Sequence, residues 1–332
     1  MATSCGFESH HRHHFYEPVI PTDCGFFFAF QRFLAFILPS LCLISKHEKQ
    51  EKNAVNANQN ANRGKVDDLG LIRAPPKKRK RITFYQFLFE ELVKRDFKKK
   101  YKRTVLGMGW SVLSPLLSLL VMRLVFTRFF GRTTPHYTTF LFCGNLVFSF
   151  FNESTSQGMG ALVGNAQIFT KVNVPKYLFL FSKIVQCLLN FCLTLCVFFV
   201  FCALDHITFT WRFILLLYPI ACLVLLNLGL GLILSALNVF FRDMQYLWSV
   251  FTQLLMYASA IFYSVDGYSP QVQRMFLANP MYLIIKYFRV IVIDGTLLSW
   301  PYHLLMAAEA LLAFALGCWM YKKYNHQFLY YV

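Results

Sequence analysis

Between Phe213 and Phe240 the chain carries no charged side chain, and between Tyr177 and Leu204 it carries one, Lys183. Each run exceeds the ~20 apolar residues a helix needs to cross a bilayer. Four more segments fit the same pattern: Met108–Phe129, Thr138–Phe151 with a helical continuation, Tyr246–Tyr263 and Trp300–Tyr321. The second in chain order is short, and its inner end is polar. Met275–Asp294 is also apolar, but Asn279-Pro280 breaks it and Lys286 and Arg289 interrupt it. It reads as two short re-entrant or interfacial pieces, which lipid tolerates only when protein or a cavity surrounds them. The expected fold is an all-α membrane protein with six transmembrane helices and a re-entrant helical pair between spans five and six.

Charge narrows the partners. The net charge of +17 suits nucleic acid or a membrane surface, but most of the 33 Lys and Arg lie before Val105. Only 15% of residues are charged, where soluble chains carry about 25%. Nucleic-acid binding needs a soluble core to carry its basic patch, and the rest of this chain is mostly long apolar runs. The basic block therefore marks the cytoplasmic side of a membrane protein. Lys77–Arg103, Lys171, Lys176, Arg242, Lys322 and Lys323 then lie inside. They outnumber Arg128, Arg132, Arg212, Arg274, Lys286 and Arg289 outside, so both ends of the six-span core are cytoplasmic.

Residues 1–81 read as an extension, mostly disordered linker, with an apolar segment at 24–45. The stretch 82–103 is an amphipathic interfacial helix with a basic exit, and 104–332 is the transmembrane domain. In the helix, Thr83 with Gln86 fits a capping box, and Ile82 with Phe87 a hydrophobic staple. Ile82, Tyr85, Leu88, Phe89, Leu92 and Val93 share one face; Gln86, Glu90, Lys94 and Lys98 share the other. Glu90–Lys94 and Glu91–Arg95 are i,i+4 pairs in the favourable order. Such a helix lies in the headgroup plane, its trailing cations facing anionic lipid.

No G-x-x-x-x-G-K-[ST] phosphate loop occurs; Gly64-Lys65 lacks both the earlier glycine and the following Ser/Thr. The ten cysteines form no C-x-x-C pair, and no metal-ligand spacing occurs. The chain is therefore expected to hold no cofactor or metal, with any ATP bound by a partner. A membrane-embedded transferase would need convergent acids or a His. The intramembrane ionisable groups are only Arg123, Lys183 and Glu309, with Glu153 at an end. Arg123 and Glu309 sit at compatible depths for an ion pair inside the bundle, because an unpaired charge there costs at least ~2.5–3.5 kcal/mol. The alternative is an Arg123 that snorkels to the outer headgroups, with Glu309 protonated or facing water.

Tyr101, Arg103, Val105, Leu106, Gly107, Trp110 and Pro115 resemble the start of the first span in ABC-2 type permeases that export lipid-linked polysaccharides: O-antigen, capsule and teichoic acid. Gly164–Tyr177 is similar to that family's loop between spans two and three, and Leu234–Trp248 to its span-four end with Arg242-Asp243. Ala258–Ser264 and Asn279–Gly295 resemble its next two landmarks, although the family's Ser-Pro is here Ser259-Ala260, so a proline kink is missing. The resemblance covers roughly residues 82–332. It implies a homodimer in the bacterial cytoplasmic membrane, two separate ABC ATPase subunits, and a substrate path along the dimer interface. An undecaprenyl-pyrophosphate glycan or teichoic acid precursor would meet Lys98, Lys99, Lys100, Tyr101, Lys102 and Arg103. Plain positive-inside anchoring explains the same cations. Tyr85, Leu88, Phe89 and Leu92 would form a gate helix. The loop 154–175, with Asn165, Ile168, Lys171 and Pro175, would dock the ATPase. Tyr85, Trp110, Phe151 and Tyr263 are candidates to line a sugar path. The alternative cargo is a drug or a small lipid.

Overall fold

The structure, a computed structural model, describes residues 78–101, 109–130, 136–171, 174–325 and 327–331. The apolar segment 24–45, the linker, Lys77, Lys102, Arg103 and Gly107 lie outside the described residues. All regular structure among the described residues is helical. The helices are α1 (Lys78–Tyr101), α2 (Gly109–Phe130), α3 (Tyr137–Met159), α4 (Ala166–Phe169), α5 (Tyr177–Leu204), α6 (Leu217–Phe240), α7 (Met244–Ala258), α8 (Pro270–Leu277), α9 (Pro280–Arg289), α10 (Trp300–Tyr324) and α11 (Phe328–Tyr331). A 3₁₀ turn, Trp211–Leu216, leads into α6, and a π turn, Val290–Asp294, ends α9.

Among the described residues three helices are long and apolar enough to cross a bilayer: Tyr177–Leu204, Trp211–Phe240 and Trp300–Tyr324. The pair α8–α9 makes a fourth if its two arms, bent by 106°, count as one span. The other expected spans are helices that fall short by length or composition. In α2 the apolar part is Leu113–Phe126, and α7 has only 15 residues.

α3 falls short because it is central. It packs against α2, α5, α6, α7 and α9, and Asn145, Ser154 and Thr155 on it are buried. Polar side chains in a membrane bundle face protein or water, so a surrounded helix tolerates them where a lipid-facing one would not. The closest helix contact is α6 on α10. A Cβ at Gly229 would overlap the backbone of Ala313, and one at Gly317 would overlap the carbonyl of Gly229. Small residues let membrane helices approach to backbone contact.

Three expectations are corrected here. α1 starts at Lys78, so Thr83 lies inside the helix and does not begin it. The basic run is itself helical, with nothing in Lys78–Arg81 to stop propagation. The expected i,i+4 pairs also differ: Lys94 pairs with Glu91 at 3.3 Å, while Arg95 turns to Asp96 at 2.8 Å. Finally, span five does not reach Tyr263. α7 stops at Ala258 without a proline, and Ala260 adopts a left-handed φ of 50°. Side chains from α9 and its cap hold that break. Asn279 Nδ2 donates to the Ala258 carbonyl at 3.2 Å, and Arg289 Nη1 and Nη2 donate to the carbonyls of Ala260 and Ile261 at 2.9 and 2.8 Å.

Candidate functional site

A cleft of about 640 Å³ opens between α2, α3 and α5, below the last turn of α1. Its polar lining comes from Ser114, Asn145, Ser149, Asn152, Glu153 and Asn190, and aromatic edges come from Trp110, Phe142, Phe150 and Phe191. Helical periodicity builds it. Asn145, Ser149, Asn152 and Glu153 recur at spacings of three and four along α3, so they share a face. Pro115 bounds the cleft on α2.

Glu153 is the electrostatic centre. Its Oε1 pairs with Lys100 Nζ and accepts from Gln157 Nε2 at 3.0 Å, and its Oε2 accepts from Asn190 Nδ2 at 3.0 Å. Three donors from three helices thus converge on one carboxylate. Lys98, Lys99 and Lys100 are all exposed, and of the three Lys100 lines the cleft and pairs with Glu153. Amides, hydroxyls and a carboxylate between aromatic rings suit a polyhydroxylated ligand. The polar groups exchange hydrogen bonds with hydroxyls, and the rings pack on apolar sugar faces.

A second polar cluster lies at the base of α1. Leu92 and Val93 are buried with Asp96 on the face of α1 that packs on α5. Asp96 pairs with Lys183 of α5 at 3.1 Å, and Arg95 donates to Asn165 Oδ1 at 2.8 Å. Asp96 was missed in the sequence because it stands beside Arg95 in a charged run, and only the helix packing shows that one of the two points inward. Leu92 is thereby a packing residue against α5. Tyr85, Leu88 and Phe89 are half-buried, and Phe87 is exposed.

The remaining candidates fall in separate places. Trp110 lines the cleft, whereas Phe151 is 1% exposed in the core and is not part of the cleft lining. Tyr263 packs on Phe276 near the α7–α8 turn. In the 160–171 segment Asn165 is buried, Ile168 half-buried and Lys171 exposed, with Pro175 half-buried just beyond. Arg242 and Asp243 are exposed at the end of α6. Asn279 caps α9, accepting from Met281 N at 3.0 Å, and Pro280 occupies its first turn. Arg123 and Glu309 do not pair: Arg123 is exposed, and Glu309 Oε2 is buried without a hydrogen-bond partner. Depth along a helix axis is legible in a sequence, but the facing direction is not. Here α10 turns its closest face to α6.

A sequence profile for the ABC-2 type transporter matches residues 88–293. The chain belongs to the ABC-2 type transporter family. That match spans α2 through α9 and so includes the whole cleft. Among relatives of this ABC-2 chain, the O-antigen export system permease protein RfbA of Myxococcus xanthus is 31% identical over 235 residues, 70% of this chain and 86% of the relative. RfbA of Klebsiella pneumoniae is 28% identical over 247 residues, 73% of this chain and 95% of the relative. The polysialic acid transport protein KpsM of Escherichia coli is 24% identical over 213 residues, 62% and 81% of the two chains.

Proposed function

We propose that this chain is the membrane permease subunit of an ABC exporter. It moves a lipid-linked polysaccharide of the O-antigen or capsule type outward across the bacterial cytoplasmic membrane. The observation that carries the reading is the cleft, whose amide, hydroxyl and aromatic lining suits sugar in a bundle otherwise built for lipid. The printed names of the relatives, which handle O-antigen and polysialic acid, support the same cargo. The chain is a transport subunit, not an enzyme. ATP is hydrolysed by a separate ABC ATPase that docks on the cytoplasmic segment 154–175.

In this reading α2, α3, α5, α6, α7 and α10 are the six spans, and α8–α9 is re-entrant on the outer side. α1 lies along the inner surface as the gate helix, and two copies of the chain form the path. Lys98 and Lys99, with Lys102 and Arg103, offer cations to the lipid pyrophosphate. Lys100 is already engaged by Glu153 and exchanges that carboxylate for the headgroup.

The test is genetic and biochemical. Deletion of the gene should abolish the surface glycan and leave its lipid-linked form in the inner leaflet, and the intact chain should restore export. Asn145→Leu and Asn190→Leu should each lower export about five- to ten-fold, as expected when a ligand loses hydrogen bonds in a desolvated site. Surface glycan that survives the deletion, with a drug or small lipid retained in the cell, would replace this cargo with the other.

A further inference from the structure

Three elements meet through four side chains at the inner end of the bundle. Asp96 of α1 is 3% exposed. Its Oδ2 lies 3.1 Å from Lys183 Nζ on α5. Its Oδ1 accepts from Arg95 Nε and Nη2 at 3.0 and 2.8 Å. The same Nη2 donates to Asn165 Oδ1 at 2.8 Å, and Asn165 Nδ2 donates to the Ala161 carbonyl at 2.8 Å. One carboxylate thus ties α1 to α5, and the guanidinium beside it ties α1 to the segment 160–171.

Stability alone is a weak reason for such a cluster. A buried ion pair gains little over well-packed apolar side chains, and its best-attested use is to fix register or serve as a switch. Leu92 and Val93 already bury the apolar face of α1. The segment 160–171 is bonded mainly within itself: Gly164 N to Gly160 O at 2.9 Å, Asn165 N to Leu162 O at 3.1 Å, and Thr170 N to Ala166 O at 3.1 Å. These bonds make the segment a locally closed knot of turns. Its turn Val163–Asn165 touches α6, and just before it Asn238 Nδ2 of α6 donates to the Met159 carbonyl at the end of α3 at 3.2 Å.

We propose that Arg95 is the joint through which movement of the 160–171 segment is passed to α1. The proposal rests on the reading above that an ATPase docks on this segment. When docking or closure of the ATPase displaces the segment, Asn165 draws the guanidinium with it. Asp96, whose Oδ2 is held beside Lys183 by charge and burial and not by a hydrogen bond, resists. The displacement is converted into a tilt of α1 against α5, and with α1 moves Lys100, which lines the cleft. Such coupling is reciprocal: whatever binds beside α1 alters binding of the ATPase by the same factor. Arg95 is a positioning residue here and touches no cargo.

The experiment uses the full chain with its ATPase in lipid vesicles. It compares wild type with Arg95→Ala and Arg95→Lys, and records ATP hydrolysis, glycan exported per ATP, and hydrogen exchange of the chain alone, with the ATPase, and with the ATPase and a non-hydrolysable ATP analogue. In wild type, exchange should change in both 160–171 and α1. In Arg95→Ala it should change in 160–171 alone, hydrolysis should stay within about two-fold, and export per ATP should fall roughly five-fold or more. Arg95→Lys keeps a donor and should recover part of the loss. An α1 that still responds in Arg95→Ala, or unchanged export per ATP, would overturn the joint. If the wild-type segment 160–171 shows no protection when the ATPase binds, the docking reading falls and takes the joint with it. A protected segment beside an unresponsive wild-type α1 overturns the joint alone.

Discussion

Arg289 carries a full charge into a site where no carboxylate meets it among the described residues. Its guanidinium donates to the carbonyls of Phe140, Ala260 and Ile261, and stacks 3.4 Å from the Phe140 ring centroid. The broken end of α7 leaves carbonyls without helical partners, and a cation there offsets both the missing bonds and the negative end of the helix. Arg289→Met should therefore cost about 1.5–3 kcal/mol, as for hydrogen bonds to a charged group. A thermal melt of the detergent-solubilised protein would read it as a clear drop in midpoint. Ala260 provides a finer check. Its φ of 50° strains any residue with a Cβ, but its methyl is wholly buried. Relief of about 1–2 kcal/mol then opposes the loss of about 0.8 kcal/mol of burial. With glycine's entropic cost of roughly 0.5–1 kcal/mol added, Ala260→Gly should be close to neutral, and Ala260→Val, β-branched at a positive φ, should not accumulate as folded protein.

At the scale of elements, the α6–α10 crossing is the most constrained contact. Gly229→Ala should lower the melting midpoint, because overpacking a tight contact costs typically 1–3 kcal/mol. Gly267→Ala, with nothing within 4 Å of the new methyl, should leave the midpoint unchanged. Equal effects at the two positions would mean that the helices do not meet at backbone distance. The long apolar helices α5, α6 and α10 were plain in the sequence because length and hydropathy alone define them. α3 was legible only as a short span, because its polar residues serve a buried helix and dilute the hydropathy signal. The Asn279-Pro280 break was readable from local chemistry, an N-cap followed by proline. The break after Ala258 was not, since its partners are 20 and more residues away on another helix. The cleft was half visible. Lys100 and Trp110 were singled out, but Glu153, Asn145 and Asn190 were not joined to them, because three helices must pack before those residues share a space.

For the molecule as a whole, the proposed orientation makes a sharp prediction. Alkaline phosphatase fused after Lys171 or Arg242 should be inactive, and fused after Tyr268 it should be active. Activity at Lys171 would invert the bundle and remove the ATPase-docking reading. The α6–α10 contact also bears on how such a chain is made. α10 is the last long helix to be synthesised, yet α6 keeps a glycine groove for it in the middle of the bundle. Until residues through Gly317 have been made, no α10 backbone fills that groove, and until His303 has been added the Tyr218 hydroxyl lacks the carbonyl to which it donates. A nascent chain stopped before Trp300 therefore displays an open seam. Membrane proteases that recognise loosely packed helices would have a simple mark by which to tell an unfinished subunit from a finished one.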